Sequence, residues 1–264
     1  MKILVCVKQV PEKDSRYKLT ADSLGIDDQD LTFETNESDL YALEEALRLK
    51  EKRGGEVVLL SVGPERVQKV LKSGLAMGAD RAIHLCDPGL DKGDAHVTAK
   101  AIWKAIREEG FEVIFTGVES EDMAFAQTGT LLAALLGWDH ATIVMEVSIS
   151  DDGSSAVVKR ELESNVFERV QIGLPAVLTI QSGINQPRYA TLKGIMQAKK
   201  KELRSLNAEQ LGMGASEVGT DGSRVEHQRL FFPEKKKQTV FIEGAPEEAA
   251  KALMEKLQKE ARVL

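Results

Sequence analysis

Residues 111–138 read FEVIFTGVESEDMAFAQTGTLLAALLGW: a strand, a turn, a polar loop and a helix, in that order. Val113, Ile114 and Phe115 form a short apolar run suited to a strand buried in a sheet. Gly117 then releases the chain. After Gln127-Thr128-Gly129 come Leu131, Leu132, Leu135 and Leu136, one apolar face at helical spacing. The loop between carries three acids, Glu119, Glu121 and Asp122, with Gln127 and Thr128 where the helix should begin. Free backbone N–H groups and hydroxyls at a helix start attract phosphate. A loop after the carboxyl end of a strand is also where open α/β sheets place their ligands. A capped helix after an ordinary loop is the alternative these residues leave open.

Upstream the same alternation repeats. Ile3–Val7 is a near-continuous apolar run, left through Lys8-Gln9-Val10-Pro11, where proline should end ladder pairing. Residues 12–33 are polar, and a long excursion after a first strand is often functional. Asn36-Glu37-Ser38-Asp39 opens a helix with a capping residue and acids at its positive end. Leu40, Leu43 and Leu47 form its inner stripe, with Glu44, Glu45, Arg48, Lys50 and Lys52 facing water until Gly54-Gly55 stops it. Glu56–Val62 is a second strand, and Gly63-Pro64 starts a second helix that runs to Gly78. Arg81–Cys86 is a third strand, and Asp94 caps a helix that ends near Glu109. The order β-α-β-α-β-α-β-α predicts a parallel sheet with right-handed crossovers and helices on its faces.

Downstream of Trp138 the runs become short and β-rich: 142–149, 156–162, 166–172 and 176–181. Asp151-Asp152-Gly153-Ser154 gives a hairpin signal, so part of this region should extend the sheet with antiparallel strands. Residues 187–204, PRYATLKGIMQAKKKELR, hold a short helix with Leu192, Ile195 and Met196 on one side and Lys199-Lys200-Lys201 after it. Residues 205–234 read as an irregular extension, 238–242 as a short strand and 246–262 as a helix. The domain expectation is a 1–186 α/β core and a 187–264 arm with too little core to fold alone, lying on another chain.

Composition narrows the function classes. At 264 residues, one large domain or one with an appendage is expected. A net charge of −7 gives no reason to expect bulk nucleic-acid binding. Cys6 and Cys86 are far apart without a CxxC pattern and read as small apolar residues in a reduced compartment. The histidines are scattered without ligand spacing, so no metal site is expected. MKILVCVK reads as a first strand rather than a signal segment, and no apolar run approaches a membrane span; the expected location is the cytoplasm.

No catalytic constellation stands out: there is no Walker motif, no GxSxG and no GxGxxG. Glu119, Glu121 and Asp122 could act as an acid pair, but such acids more often are solvated or bind ribose hydroxyls. Lys199–Lys201 reads as a solvated helix end, or with Leu192 and Met196 as a docking patch for an acidic partner.

Several stretches together carry a resemblance. LVCVKQVP at 4–11, EEALRLKEK at 44–52, SVGP at 61–64, GLAMGADRAIHL at 74–85, AQTG at 126–129 and PRYATLKGIMQAKKK at 187–201 resemble the β subunit of the electron transfer flavoproteins over nearly the full chain. The resemblance implies a Rossmann-like three-layer core with an extended C-terminal arm. It implies half of an αβ heterodimer whose α subunit holds most of the FAD. It also implies electrons passing from flavoenzymes such as the acyl-CoA dehydrogenases of fatty acid oxidation to a membrane quinone reductase or another acceptor. The β subunit would hold AMP in a structural role. By the family pattern the nucleotide meets Cys6, then Asn36, Glu37, Ser38 and Asp39, then Val62. It also meets the loop Gly117, Val118, Glu119, Ser120, Glu121, Asp122, Met123, Ala124, Phe125, Ala126, Gln127 and Thr128. Leu192, with Met196, Lys199 and Lys200 beside it, matches the loop that docks into dehydrogenases.

Two departures bear on the ligand. AMP-binding members carry a run of aspartates and an Asn before Gln-Thr-Gly; here Asp122 is followed by Met123, Ala124 and Phe125, with Ala126 in the Asn position. In an electron-bifurcating branch the loop ends Ala-Gln-Val-Gly, and a second FAD, with NADH, replaces AMP. This chain has Ala126 like that branch and Thr128 like the other, and Glu37-Ser38 replace the usual Pro-Phe after the Asn. AMP is the expected ligand and a second FAD the alternative. A stand-alone adenine-nucleotide sensor on a similar core is a further reading, but it has no need of the C-terminal arm.

Overall fold

Five apolar runs, each too uniform to leave a face in water, build the centre of one sheet. The computed structural model of the protein describes residues 1–234 and 239–263. Its first half runs β1 (Lys2–Cys6), β2 (Gln9–Pro11), β3 (Lys18–Leu19), β4 (Ile26–Asp27), β5 (Phe33–Thr35), α1 (Glu37–Arg53), β6 (Glu56–Val62), α2 (Gln68–Met77), β7 (Arg81–Leu85), α3 (Pro88–Asp91) and α4 (Ala95–Ile106). Then come β8 (Val113–Gly117), α5 (Thr128–Leu136), β9 (Asp139–Ile149), β10 (Ser155–Glu161), β11 (Phe167–Gly173), β12 (Ala176–Ile180), α6 (Leu192–Ala198), β13 (Leu203–Leu206), α7 (Gly219–Gly222) and α8 (Pro246–Lys256).

The large sheet has the order β11-β10-β9-β12-β8-β1-β6-β7-β13. From β9 to β13 neighbouring strands are parallel, while β10 and β11 add antiparallel pairs, as the hairpin signal implies. Alternation along each strand feeds two cores. Ile3, Val5, Leu59 and Phe115 pack against Leu43 and Leu47 of α1 and Leu71 and Leu75 of α2. Leu4, Leu60, Ile83 and Ile114 pack against Ile102 and Ile106 of α4 and Leu132 of α5. The result is the expected three-layer α/β architecture.

The strand order makes β1 the turning point. The chain moves from β1 through α1 to β6 and β7 on one side, then returns to β8 on the other. After β1 the chain enters α1 on one face of the sheet and after β8 it enters α5 on the other, the arrangement at which open α/β sheets present a ligand crevice.

Several local expectations change. Pro11 is itself paired, opposite Phe33 in the small antiparallel β2–β5 ladder, and is the last residue of that strand, where a missing N–H matters least. The second helix begins with a 3-10 turn at Glu65–Val67, and Pro64 precedes that turn rather than lying inside it. Glu44 is not in water but 3% exposed, and Lys201 donates to the carbonyls of Leu75 (2.9 Å) and Ala79 rather than ending in solvent. The strand β13 lies partly in the stretch read as irregular; it pairs in parallel with β7 at the sheet edge.

Met1–Gln228 forms one compact unit and Arg229–Leu264 a second. Within the second, α8 has Pro246 in its first turn and buries none of its residues. Of the short strand expected at 238–242, Gln238 lies outside the described residues and 239–242 are not in a strand. Among the described residues no helix is long and apolar enough to cross a membrane, and no group of residues has the makings of a metal site.

Candidate functional site

At the turning point a single carboxyl group ties two strands together. Asp39, in the first turn of α1, accepts from the Lys8 N–H just past β1 (2.7 Å) and from the Gly117 N–H at the end of β8 (2.9 Å). Burial pushes its pKa up to about 7, against the pull of the bonds from Lys8, Asn36 and Gly117. A Cβ on residue 117 would overlap Ser38 Oγ and Asp39 Oδ1, so the close approach requires glycine.

Asn36 and Ser38 hold the loop after β8. Asn36 Nδ2 donates to Ser38 Oγ (2.9 Å) and to the Glu119 carbonyl (2.9 Å), and Asn36 Oδ1 accepts from the Glu121 N–H (3.0 Å). Ser38 Oγ also donates to the Glu119 carbonyl (3.0 Å). Neither side chain bonds the first turn of α1 as a helix cap. Their capping chemistry is spent instead on fixing a loop more than eighty residues away.

The loop itself is exposed from Glu121 to Ala124, with Ala124 and Ala126 in left-handed backbone conformations. Phe125 is half-buried and stacks on His227, ring centroids 5.9 Å apart. Gln127 precedes α5 without capping it by a side-chain hydrogen bond, and no acid occupies the helix's first turn. The N–H groups of Thr128, Gly129 and the following residue thus form an uncapped positive helix end. Gly129 lets that end sit close to the sheet, since a Cβ there would meet Thr116 Oγ1 and Thr179 Cγ2 at 2.7 Å.

Cys6 is buried at the end of β1; burial, then the charge of Asp39, holds its thiol above the usual range, so it is a neutral apolar wall. Val62 lies half-buried at the end of β6. The structure thus gathers the ends of β1, β6 and β8 and the starts of α1 and α5 at one place on the carboxyl edge of the sheet. Asn36, Ser38 and Asp39 are buried scaffold, while the loop and the α5 start are open.

Sequence reasoning missed Lys8. Its ammonium group donates to Ser120 Oγ (3.2 Å) and to both Asp122 oxygens (2.7 and 2.8 Å), tying the β1 end to the loop. Its position directly after the first strand was the available signal. Lys13 was missed too; it bridges Glu37 (2.7 Å) and Glu121 (3.1 Å). It lines a cavity of about 370 Å³ together with Glu12, Asp14, Glu34, Glu37 and Glu121, a net negative surround that disfavours anions. The first turn of α5 carries no acid.

Leu192, Met196, Lys199 and Lys200 form a separate group. Thr191 caps α6 by accepting from the Gly194 N–H (3.0 Å), and α6 packs on α2 through Gly194 and the buried Ala198. That leaves Leu192 84% and Met196 70% exposed, with both lysines in water beside them.

Comparison with known proteins identifies the family. The electron transfer flavoprotein domain matches residues 23–211. The chain is 39% identical over 255 residues to the electron transfer flavoprotein subunit beta of Methylophilus methylotrophus, covering 96% of this chain and 97% of the relative. It is 35% identical to the mitochondrial subunit beta of Arabidopsis thaliana over the whole of both chains. It is 33% identical to the subunit beta of Bacillus subtilis, over 95% of this chain and 96% of the relative. With the family model matching most of the chain and these relatives aligned over nearly its full length, the chain belongs to the electron transfer flavoprotein β-subunit family.

Proposed function

We propose that the chain works as the β half of a cytoplasmic αβ electron carrier and holds AMP with its phosphate at the start of α5. The uncapped α5 terminus at the sheet's turning point is the observation that carries this reading. Gln127 and Thr128 would bond the phosphate, and the Gly117–Ala126 loop with Cys6, Val62 and Glu37 would enclose the nucleoside. The FAD that cycles with the electrons would sit mainly with the α subunit. Residues of the C-terminal arm within 187–264 would pack on that subunit. Leu192 and Met196 would dock on acyl-CoA dehydrogenase-type flavoenzymes, and a quinone oxidoreductase would take the electrons onward. A second FAD in the AMP position, with NADH oxidation and bifurcation, is the alternative; Ala126 and the loss of acids at 123–125 favour it.

Co-expression with an α subunit tests the carrier. The chain alone should purify colourless and the heterodimer yellow, and an acyl-CoA dehydrogenase with its substrate should bleach the flavin. Direct bleaching by NADH without a dehydrogenase would favour the alternative, and a colourless heterodimer would sink both.

A further inference from the structure

The segment before α6 is pinned to one face of α1. Residues 41, 44, 45, 48 and 51 share that outer face at helical spacing. Asn185 Nδ2 donates to the Tyr41 carbonyl (3.0 Å) and to Glu45 (3.1 Å). Arg188 then grips two acids of the same face. Its Nε and Nη2 donate to the two oxygens of Glu44 (2.7 and 3.1 Å), its backbone N–H donates to Glu44 as well (3.2 Å), and Nη1 and Nη2 reach Glu51. Arg48 Nε completes the Glu44 shell at 2.8 Å. Burial pushes the Glu44 carboxyl up, but the Arg188 and Arg48 bonds outweigh it and leave the group below its ordinary range.

A buried carboxylate held by a planar fork has one geometry, which a freely rotating ammonium would not impose. Four residues later comes Leu192, and at Gly194 a Cβ would overlap the Ala76 carbonyl oxygen of α2. Thus Arg188 fixes the approach to α6, and Gly194 fixes its landing. Tyr189 and Leu192, between these two anchors, and Met196, just past the second, are left exposed.

We propose that Arg188 is a positioning residue for dehydrogenase docking: its fork on Glu44 and Glu51 holds the 189–198 segment in the orientation that presents Leu192. The inference rests on the docking reading above. Arg188 is itself turned inward onto α1, so it acts through Leu192 rather than by touching the partner.

The test uses the intact heterodimer. Hydrogen exchange of 189–198 and reduction by an acyl-CoA dehydrogenase are measured for wild type, Arg188→Lys, Arg188→Met, Leu192→Ala and the double variant Arg188→Met/Leu192→Ala. Arg188→Met should speed exchange in 189–198 and raise the dehydrogenase's KM for the heterodimer by about tenfold, with kcat and nucleotide content unchanged. Arg188→Lys should fall between, and the double variant should be no worse than the poorer single one. Should Arg188→Met fail to fold, Glu51→Gln, which removes only the exposed partner, should show the same changes at smaller size. If Leu192→Ala raises KM while Arg188→Met or Glu51→Gln changes neither exchange nor KM, this inference falls and the docking reading stands. If Leu192→Ala leaves KM unchanged, the docking reading falls, and the positioning role of Arg188 falls with it.

Discussion

Asp39 is where the sheet's turning point is held by a single side chain, and its chemistry is testable by pH. In the folded chain its pKa is raised to about 7, from an ordinary 3.8, by burial. Between these values the folded chain keeps a proton that the unfolded chain has released, so stability should fall as pH rises through that window and level off above it. In Asp39→Asn this contribution is absent. The difference in unfolding free energy, wild type minus variant, should therefore decrease from about pH 4 to about pH 7. A difference that rises with pH across the window would show the two N–H bonds outweighing burial. At neutral pH Asp39→Asn should still be destabilised by about 1–3 kcal/mol, because a carboxamide cannot accept from both Lys8 and Gly117. Gly117→Ala acts on the same contact from the other side. Its Cβ has no space against Ser38 and Asp39, so thermal unfolding should show a lower Tm and the purified heterodimer should lose its bound nucleotide. Normal nucleotide content in that variant would mean the crevice does not hold the ligand.

At the scale of elements, the α/β alternation was legible because the central strands are mostly apolar and the helices between them carry apolar stripes at helical spacing. A cap was legible too: Asp94 does accept from the His96 and Val97 N–H groups, both at 3.0 Å. What the sequence hid were long-range polar partners. Glu44 looks like any outward helix acid until Arg188 covers it, and Asn36 looks like a cap until the Glu119 loop claims its amide. The strand β13 was hidden by brevity and by Arg204 and Ser205 in its middle, which an edge strand tolerates. The apolar stripe of α6 was legible, but its spacing alone did not separate a core face from the exposed one observed. Leu192→Ala should raise the KM of the dehydrogenase roughly tenfold and leave the flavin spectrum and Tm unchanged, as expected for an anchor that buries nothing in the free subunit. A fall in Tm of several degrees would assign Leu192 to the fold instead.

At the scale of the whole molecule, the compact unit Met1–Gln228 has both cores, while Arg229–Leu264 leaves Phe231, Phe232, Phe241 and the α8 side chains Leu253 and Met254 exposed. So much uncovered apolar surface suits a segment completed by another chain. Limited proteolysis of the isolated β chain should cut first beyond residue 228, and the α subunit should protect those sites; equal cutting with and without it would leave the segment no role in assembly. The crevice asks a simpler question of the assembled protein. Denaturing the purified heterodimer and quantifying the released nucleotides should yield one FAD and one AMP. Two FAD and no AMP would replace AMP with a second flavin at the same helix start, whereas one FAD and no other nucleotide would contradict the α5 phosphate site altogether.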